Sequence, residues 1–225
     1  MNNRLVPPSH AAEVAVGFER SKSFYTGSAK RGLDLFLCAL MLPILLPIIA
    51  VLYVLVRSSG GPGFFGHKRV GKNGRTFRCW KLRTMVPDAE AKLEALLSSD
   101  AAARAEWERD RKLRCDPRIT KLGDFLRKTS LDELPQIFNV VKGEMSLVGP
   151  RPVTEDEIEK YGVHKRTYLA MRPGISGLWQ VSGRNDISYS ERVSLDRSYF
   201  RNASLTLDIS ILLKTINVVL RKTGL

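Results

Sequence analysis

The chain has 225 residues, of which 26% are charged and 44% hydrophobic, a balance that excludes an intrinsically disordered protein. Its formal net charge of +13 predicts a polyanionic partner, which is nucleic acid, an anionic membrane surface or a phosphorylated substrate. The cysteines Cys38, Cys79 and Cys115 are odd in number and widely spaced. They therefore favour neither a disulfide framework nor a zinc site, and they fit a reducing compartment.

Residues 1–29 are predicted to form a flexible tail. The segment contains Pro7 and Pro8, scattered serine and glycine, and no apolar run. A signal peptide needs an apolar stretch soon after the first basic residues, so none is predicted.

An uncharged apolar segment runs from Leu35 to Val56. At about 1.5 Å per residue, a straight helix of this length reaches across a bilayer core of roughly 30 Å. The segment therefore predicts a membrane helix, and its length disfavours a buried helix of a soluble protein.

The flanks and the centre of this segment favour a re-entrant helix over a spanning one. Basic residues lie on both sides, and basic flanks favour the cytoplasmic face. Pro43 and Pro47 lie near the middle, where each removes a backbone N–H and crowds a carbonyl, so the helix is predicted to break there. Each arm then reaches about 16 Å, roughly half of the core. A spanning helix stays open, because true spans also tolerate proline.

The rest of the chain predicts an α+β fold that is mostly helical with a small β-hairpin. Asn73 and Gly74 form the tight turn between strands 64–70 and 75–82. Residues 88–112 form one or two helices, with an interruption at 98–100, and another helix ends at Gly143. Residues 205–222 predict an amphipathic helix, which lies at the membrane interface or packs on the core.

The stretch from Ser130 to Pro152 places two acids, Asp132 and Glu133, in a basic field. Ser130 with Glu133 three residues later predicts a capping box at a helix start. The same pair also suits a carboxylate nucleophile and a Mg²⁺ ligand, and a first helical turn keeps carboxylates ionised. The two interpretations are compatible.

Arg151 lies between two prolines, so it loses little freedom when its guanidinium forks onto a phosphate. Its alternative is a surface turn residue. Arg127 lies five residues before Asp132 and is a second candidate for the same site. Trp179 and Arg184 flank glycine-rich turns and either line a nucleotide pocket or belong to the turns alone.

Six motifs together resemble the bacterial sugar transferases, the monotopic polyprenyl-phosphate phosphoglycosyl transferases. The resemblance covers about residues 30 to 225, with the motifs in the family's order, and it is closest to the small members that start exopolysaccharide synthesis. The motifs are KRGLD at 30–34, KLRTM at 81–85, DPRIT at 116–120, RKTSLDELPQ at 127–136, GEMSLVGPRP at 143–152 and RPGISGLWQ at 172–180.

The resemblance implies transfer of sugar-1-phosphate from a UDP-sugar, UDP-galactose or UDP-glucose first, to polyprenyl phosphate, with release of UMP. Asp132 is implied to be the nucleophile, and Glu133 to bind Mg²⁺ or Mn²⁺. Arg127 and Arg151 are implied to hold phosphates, and the motif residues Lys81 and Arg118 are further candidates for phosphate binding.

The resemblance further implies a re-entrant helix over residues 30–57 and a catalytic domain over 58–225 at the cytoplasmic face of the bacterial inner membrane. Leu46 stands before Pro47 where the family commonly has serine, which leaves the angle of the break open. The rival class is a membrane-anchored basic binding module without catalysis. No nucleic-acid motif is present, and the sequence identifies neither the sugar nor the oligomeric state.

Overall fold

The computed structural model describes residues 25–110, 112–183 and 187–220. The predicted tail and Arg184 lie outside these ranges, apart from a helical turn at Tyr25–Ala29. The helices are α1 (Lys30–Arg57), α2 (Ala89–Ser99), α3 (Ala101–Asp110), α4 (Lys121–Lys128), α5 (Gln136–Lys142), α6 (Glu155–Glu159), α7 (Lys165–Leu169), α8 (Leu178–Ser182), α9 (Tyr189–Asn202) and α10 (Leu205–Leu220). The strands are β1 (Phe64–Val70), β2 (Thr76–Leu82), β3 (Ser146–Val148) and β4 (Gly174–Ser176).

The predicted hairpin is confirmed. Strands β1 and β2 pair antiparallel, with Phe64 opposite Leu82 and Val70 opposite Thr76. Asn73 and Gly74 both have positive φ, 58° and 77°, which is the backbone that a tight hairpin turn requires. The mostly helical α+β class is confirmed with it.

The structure has a second sheet, which the sequence analysis did not predict. Strands β3 and β4 pair in parallel, Ser146 with Gly174 and Val148 with Ser176. Each strand has three residues, which is too short for an alternating pattern to be recognised. A Cβ on Gly174 would lie 2.1 Å from the Gly149 nitrogen, so the two segments approach closely only because both residues are glycine.

Helices α2 and α3 confirm the predicted interruption between residues 98 and 100. Asp100 separates them, and its carboxylate accepts the backbone N–H groups of Ala102 (2.8 Å) and Ala103 (3.0 Å). This side chain caps the second helix, which explains why the chain divides there.

The start of α1 is bound to the rest of the domain by charged side chains. Lys30 pairs with the buried Asp208 of α10. Arg31 donates to the carbonyls of Val140 (2.5 Å) and Val141 (2.9 Å) in α5. The buried Asp34 accepts from the Ser146 hydroxyl (2.8 Å) and the Leu147 amide (3.1 Å) in β3. The first turns of the apolar helix are thus fixed to three separate elements.

The end of α1 is bound to the same domain by Arg83, the residue after β2. Its side chain is buried, and it donates to the carbonyls of Val56 (3.0 Å) and Pro62 (2.8 Å). It also binds the Ser59 hydroxyl at 3.2 Å. The guanidinium therefore joins the last turn of α1, at Val56, to the loop that follows it, at Ser59 and Pro62.

Between its ends, α1 has one face in the core and one face exposed. Cys38 and Ile49 are buried against the side chains of β2 and α5, including Phe77 and Ile137. The most apolar stretch within residues 27–57 has a mean hydropathy of 2.9, and only 11% of it is buried inside the protein. The large exposed apolar side chains of the helix are Leu35, Phe36, Leu40, Ile44, Leu46, Ile48, Val51, Val54 and Leu55.

Helix α10 confirms the core packing that was one of the two alternatives left open by its sequence. Ile211 is buried with Val148 and Tyr199, so one face packs on the core. The opposite face leaves Leu205, Ile209, Leu213 and Ile216 exposed. This second apolar face accords with the predicted contact at a membrane interface, which stays a prediction.

Helix α1 runs from Lys30 to Arg57 and continues through Pro43 and Pro47. The angle between its two halves stays a prediction. The contacts that hold the two ends of α1 to the domain nevertheless bear on its membrane topology. Arg31 and Asp34 at one end and Val56 at the other contact the same folded domain, so both ends are expected on the domain's side of the membrane.

We expect a membrane-impermeant maleimide to label Ser28→Cys and Ser58→Cys from the same side of sealed vesicles. Both variants carry Cys115→Ser, because Cys115 is the exposed native thiol while Cys38 and Cys79 are buried. Ser59 is avoided because its hydroxyl contacts Arg83. The wild-type Cys115 reports the side of the domain. Labelling of residues 28 and 58 from opposite sides would contradict the re-entrant helix.

Candidate active site

The two candidate catalytic acids lie in a 3₁₀ turn, Leu131–Glu133, between α4 and α5. The predicted capping box at Ser130 is wrong. Ser130 has φ 57° and ψ 16°, a left-handed conformation, and its side chain forms no capping hydrogen bond. An N-cap residue requires extended backbone to direct its side chain at the next turn. The described capping boxes lie elsewhere, at Thr154 with Glu157 and at Ser188 with Glu191.

Lys81 at the end of β2 joins the two carboxylates. Its Nζ lies 2.6 Å from Glu133 Oε1 and 3.7 Å from Asp132 Oδ2. The Asp132 side chain is 10% exposed, whereas those of Lys81 and Glu133 are 35% and 34% exposed. The structure thus brings together three of the predicted site residues, with Asp132 the deepest.

The charges at this site shift the pKa values of Asp132 and Lys81. Burial raises the pKa of Asp132, Lys81 opposes that rise, and Glu133 adds to it. Burial lowers the pKa of Lys81, but the Glu133 and Asp132 carboxylates outweigh burial, so the pKa of Lys81 is raised. Lys81 therefore stays charged and is the main local support for an ionised Asp132.

Asn139 fixes α5, and with it the acidic turn, against β2. Its side chain is fully buried, accepts the Trp80 amide at 3.0 Å and donates to the Arg78 carbonyl at 2.7 Å. Arg78 and Trp80 flank Cys79 in β2, and Lys81 follows Trp80 directly. Sequence reasoning missed Asn139; its signal is one polar residue inside the apolar run QIFNVV.

Arg127 is held beside the acidic turn by Thr84. Its Nε donates to Thr84 Oγ1 at 2.9 Å, and its positive charge acts to lower the pKa of Asp132. A Cβ on Gly123 would lie 1.9 Å from the Thr84 carbonyl, so glycine allows α4 to approach this closely. Thr84 is a further site residue that sequence reasoning missed.

The loop that carries Arg151 is fixed by backbone hydrogen bonds as well as by its prolines. Before it, the Gly149 amide donates to Ser176 at 2.9 Å and the Pro150 carbonyl accepts from Gly174 at 2.8 Å. After it, the Val70 amide donates to the Val153 carbonyl at 2.9 Å. The loop therefore joins the parallel sheet to the end of β1.

Arg151 and Trp179 meet in the structure, together with an arginine that the sequence analysis did not single out. The Arg151 guanidinium lies 5.5 Å and that of Arg192 lies 4.4 Å from the centre of the Trp179 ring. Trp179 is 4% exposed. A base has little access to this ring, so its visible role is to support the two guanidinium groups.

Arg118 is already paired with Asp116, so its guanidinium is not free to turn toward Asp132 and Glu133. It forms a fork to Asp116, with Nε to Oδ1 at 2.8 Å and Nη2 to Oδ2 at 2.6 Å. Its guanidinium also lies 5.1 Å from the centre of the Trp107 ring. Its phosphate-binding role stays a prediction, with one edge of the group already occupied. Arg184 lies outside the described residues.

The described residues contain no group of three or more His, Cys, Asp or Glu side chains placed to hold a metal ion. The two acids of the 3₁₀ turn fit Mg²⁺ in a different way. This ion is often held by one or two carboxylates and completes its coordination with substrate phosphates and water. Glu133, half-exposed beside the deeper Asp132, is the available ligand.

The model of the family described as "Bacterial sugar transferase" matches residues 25–222, so the chain belongs to this family. It is 53% identical over 195 residues to the UDP-galactose-lipid carrier transferase of Erwinia amylovora, covering 87% of this chain and 41% of that protein. It is 52% identical over 195 residues, with the same coverage, to the undecaprenyl-phosphate galactose phosphotransferase of Salmonella typhimurium.

The exopolysaccharide production protein ExoY of Sinorhizobium fredii is 49% identical over 199 residues, which are 88% of each chain. The present chain thus spans less than half the length of the two galactose-related relatives, but most of the length of ExoY. The matched region includes the acidic turn, the Arg151 loop and α9.

Replacement of Lys81 by methionine is expected to move the acid limb of the activity profile to higher pH. If Asp132 is the nucleophile, as the sequence predicts, it must be ionised, and its raised pKa means that activity is lost as pH falls through that value. Without the Lys81 charge the pKa of Asp132 rises further, so the loss begins at higher pH. The rate of nucleotide release, measured across pH, reports the shift.

Lys128→Met is the matched control, because Lys128 pairs with Asp124 in the exposed part of α4, at 2.7 Å. Its profile should coincide with that of the wild type. An unmoved or lowered acid limb in Lys81→Met would contradict the coupling of Lys81 to Asp132.

Proposed function

We propose that the protein transfers sugar-1-phosphate from a UDP-sugar to undecaprenyl or another polyprenyl phosphate and releases UMP. The observation that carries the proposal is the buried Asp132 beside Lys81 and Glu133, at the edge of a domain whose α1 and α10 expose apolar faces. Family membership and the names of the relatives support the reaction class. Those names mention galactose, so UDP-galactose is the first donor to test and UDP-glucose the second.

In the first half-reaction, the carboxylate of Asp132 attacks the phosphorus that bears the sugar. A new bond forms between Asp132 and that phosphorus, and the bond to the second phosphate oxygen breaks. The electron pair leaves with UMP, and the sugar phosphate stays on Asp132. A covalent intermediate of this kind divides one difficult transfer into two easier steps.

In the second half-reaction, a phosphate oxygen of the polyprenyl carrier attacks the same phosphorus and Asp132 leaves as a carboxylate. The acceptor headgroup must therefore reach the depth of the acidic turn. Helix α1 begins at Lys30 and contacts the last turn of α5 through Arg31, and the acidic turn precedes the first turn of α5. The proposed acceptor enters from the apolar side of α1.

The cations of the site would bind the phosphates in both half-reactions. Arg127 is held by Thr84, and Arg151 is held in its fixed loop. Because both residues are already in position, phosphate binding requires no rearrangement of the protein there. Lys81 balances the charge of the acids while the substrate is absent. Glu133 would hold Mg²⁺ or Mn²⁺, which supplies neutralisation of the donor diphosphate when bound.

We expect a burst of UMP, no larger than the enzyme concentration, when the protein meets UDP-galactose without a lipid acceptor. Asp132→Asn should lower its rate by at least about 10³-fold, because the amide is not a nucleophile. Arg151→Lys should lower the rate about tenfold or more, since lysine keeps the charge but not the fork. Arg201→Gln, on the exposed part of α9, is the control.

A burst that survives in Asp132→Asn but disappears in Glu133→Gln would exchange the roles assigned to the two acids. A protein that releases no UMP from any UDP-sugar in a panel, with polyprenyl phosphate and Mg²⁺ present, would be a membrane-anchored binding module instead. The same panel identifies the sugar.

Activity is expected to require a divalent cation and to disappear in excess chelator. A diphosphate beside two acids needs a cation to neutralise its charge. Addition of Mg²⁺ or Mn²⁺ should restore the burst, whereas Ca²⁺ tests the demand for a small ion. Full activity in chelator would refute Glu133 as a metal ligand.

A further inference from the structure

Arg151, Trp179 and Arg192 form a cluster, here named the arginine–tryptophan cluster, with unpaired buried donors. Arg151 Nε, Trp179 Nε1 and Arg192 Nε are all buried and have no hydrogen-bond partner among the described residues. A buried N–H without a partner costs about 1–3 kcal/mol, and native proteins rarely leave one unexplained. Three such donors in one cluster, the indole N–H and two guanidinium N–H groups, point to a missing hydrogen-bond acceptor.

The charges in the cluster lead to the same conclusion. The two guanidinium groups share the ring of Trp179, and neither forms an ion pair within the described part of the chain. Burial lowers the pKa of Arg192, and the positive charge of Arg151 lowers it further. Two positive charges that are held close together and partly shielded from water are unfavourable unless an anion binds both of them.

The nearest acid does not supply that anion. Asp196, one helical turn after Arg192, uses one oxygen to accept the Tyr161 hydroxyl at 2.8 Å. Its other oxygen has no partner. Burial raises its pKa to about 7, against the opposing effects of Tyr161 and Arg192. Glu157, the other acid nearby, already pairs with Arg69 at 3.0 Å.

The cluster lies within reach of the acidic turn. The pKa of the Cys79 thiol is affected by Lys81 and Glu133 and also by Arg69 and Arg151, so all four charges surround one residue of β2. Burial lowers the pKa of Arg69 and the positive charge of Arg151 lowers it further, and Arg69 lies on the same face of β1 as Phe65, which is paired with Lys81. The cluster and the acidic turn therefore lie beside the same hairpin.

We propose that the arginine–tryptophan cluster binds the phosphate of the leaving nucleotide, with Arg192 as an additional binding residue. The inference rests on the proposed function, which requires one place for the phosphorus under attack and another for the phosphate that departs. When that bond breaks, the departing phosphate gains negative charge, and cations placed there stabilise the gain. The N–H groups of Arg151, Trp179 and Arg192 donate to its oxygens.

The test is a calorimetric titration of the full-length protein with UMP and, separately, with uridine. Arg192→Gln should weaken UMP binding about tenfold or more, the loss of a charge-assisted hydrogen bond, and leave uridine binding unchanged. Arg192→Lys should lie between the two, because it keeps the charge without the planar fork. Trp179→Phe keeps a ring but removes its donor, so it should also weaken UMP selectively.

Arg201→Gln is the matched control, since Arg201 is exposed on the same helix. It should bind UMP as the wild type does. In turnover, Arg192→Gln should raise the KM for the UDP-sugar and leave the KM for polyprenyl phosphate unchanged.

Three results would overturn the proposal: unchanged UMP binding in Arg192→Gln, equal losses for UMP and uridine, or a rise confined to the KM for polyprenyl phosphate. The last result would assign the cluster to the lipid phosphate. Binding and activity are judged separately. A wild type that releases no UMP from any donor contradicts the proposed function, while a phosphate-dependent loss in Arg192→Gln still supports the subsite.

Discussion

Both ends of one apolar helix are bound to the same folded domain, and the rest of the structure depends on this constraint. Arg31 and Asp34 fix the start of α1, and Arg83 fixes its end. Hydrogen bonds to charged groups contribute about 1.5–3 kcal/mol each, so these contacts resist separation of the helix from the domain. The apolar surface of α1 and the acidic turn therefore belong to one folded unit.

Helix α5 connects the apolar surface to the chemistry. Arg31 caps its last carbonyls, Asn139 fixes its middle to β2, and the acidic turn precedes its first residue. The seven residues of α5 thus set the distance between the start of α1 and the acidic turn. The buried apolar residues of α5, Ile137 and Val140, pack against α1 and β2 and hold this distance.

The sequence carries the elements with strong local signals. The Asn73–Gly74 turn, the hydropathy of α1 and the acidic pair were all predictable, because each depends on residues adjacent in the chain. The parallel sheet of β3 and β4 was not, since it joins segments that are 28 residues apart through glycines rather than through an apolar pattern. The capping box predicted at Ser130 failed for a related reason: the motif fits a capping box, but the folded chain has left-handed backbone at this residue.

The candidate site divides in the same way. Asp132, Glu133, Arg127 and Arg151 follow from residue type and motif, and the structure adds how they are held. Thr84, Asn139 and Arg192 act through contacts made only after folding, so no local pattern identifies them. Lys81 belongs to both groups, because the motif contains it but only the fold places its Nζ between the two acids.

The most direct test of the central claim is peptide mass spectrometry of the protein after brief exposure to UDP-galactose and Mg²⁺ without lipid acceptor, followed by an acid quench. If UDP-galactose is the donor, the account predicts a hexose-phosphate adduct on the peptide that contains Asp132, absent in Asp132→Asn and removed when polyprenyl phosphate is added before the quench. An adduct on Glu133, or full transfer to lipid with no adduct at any time, would contradict it.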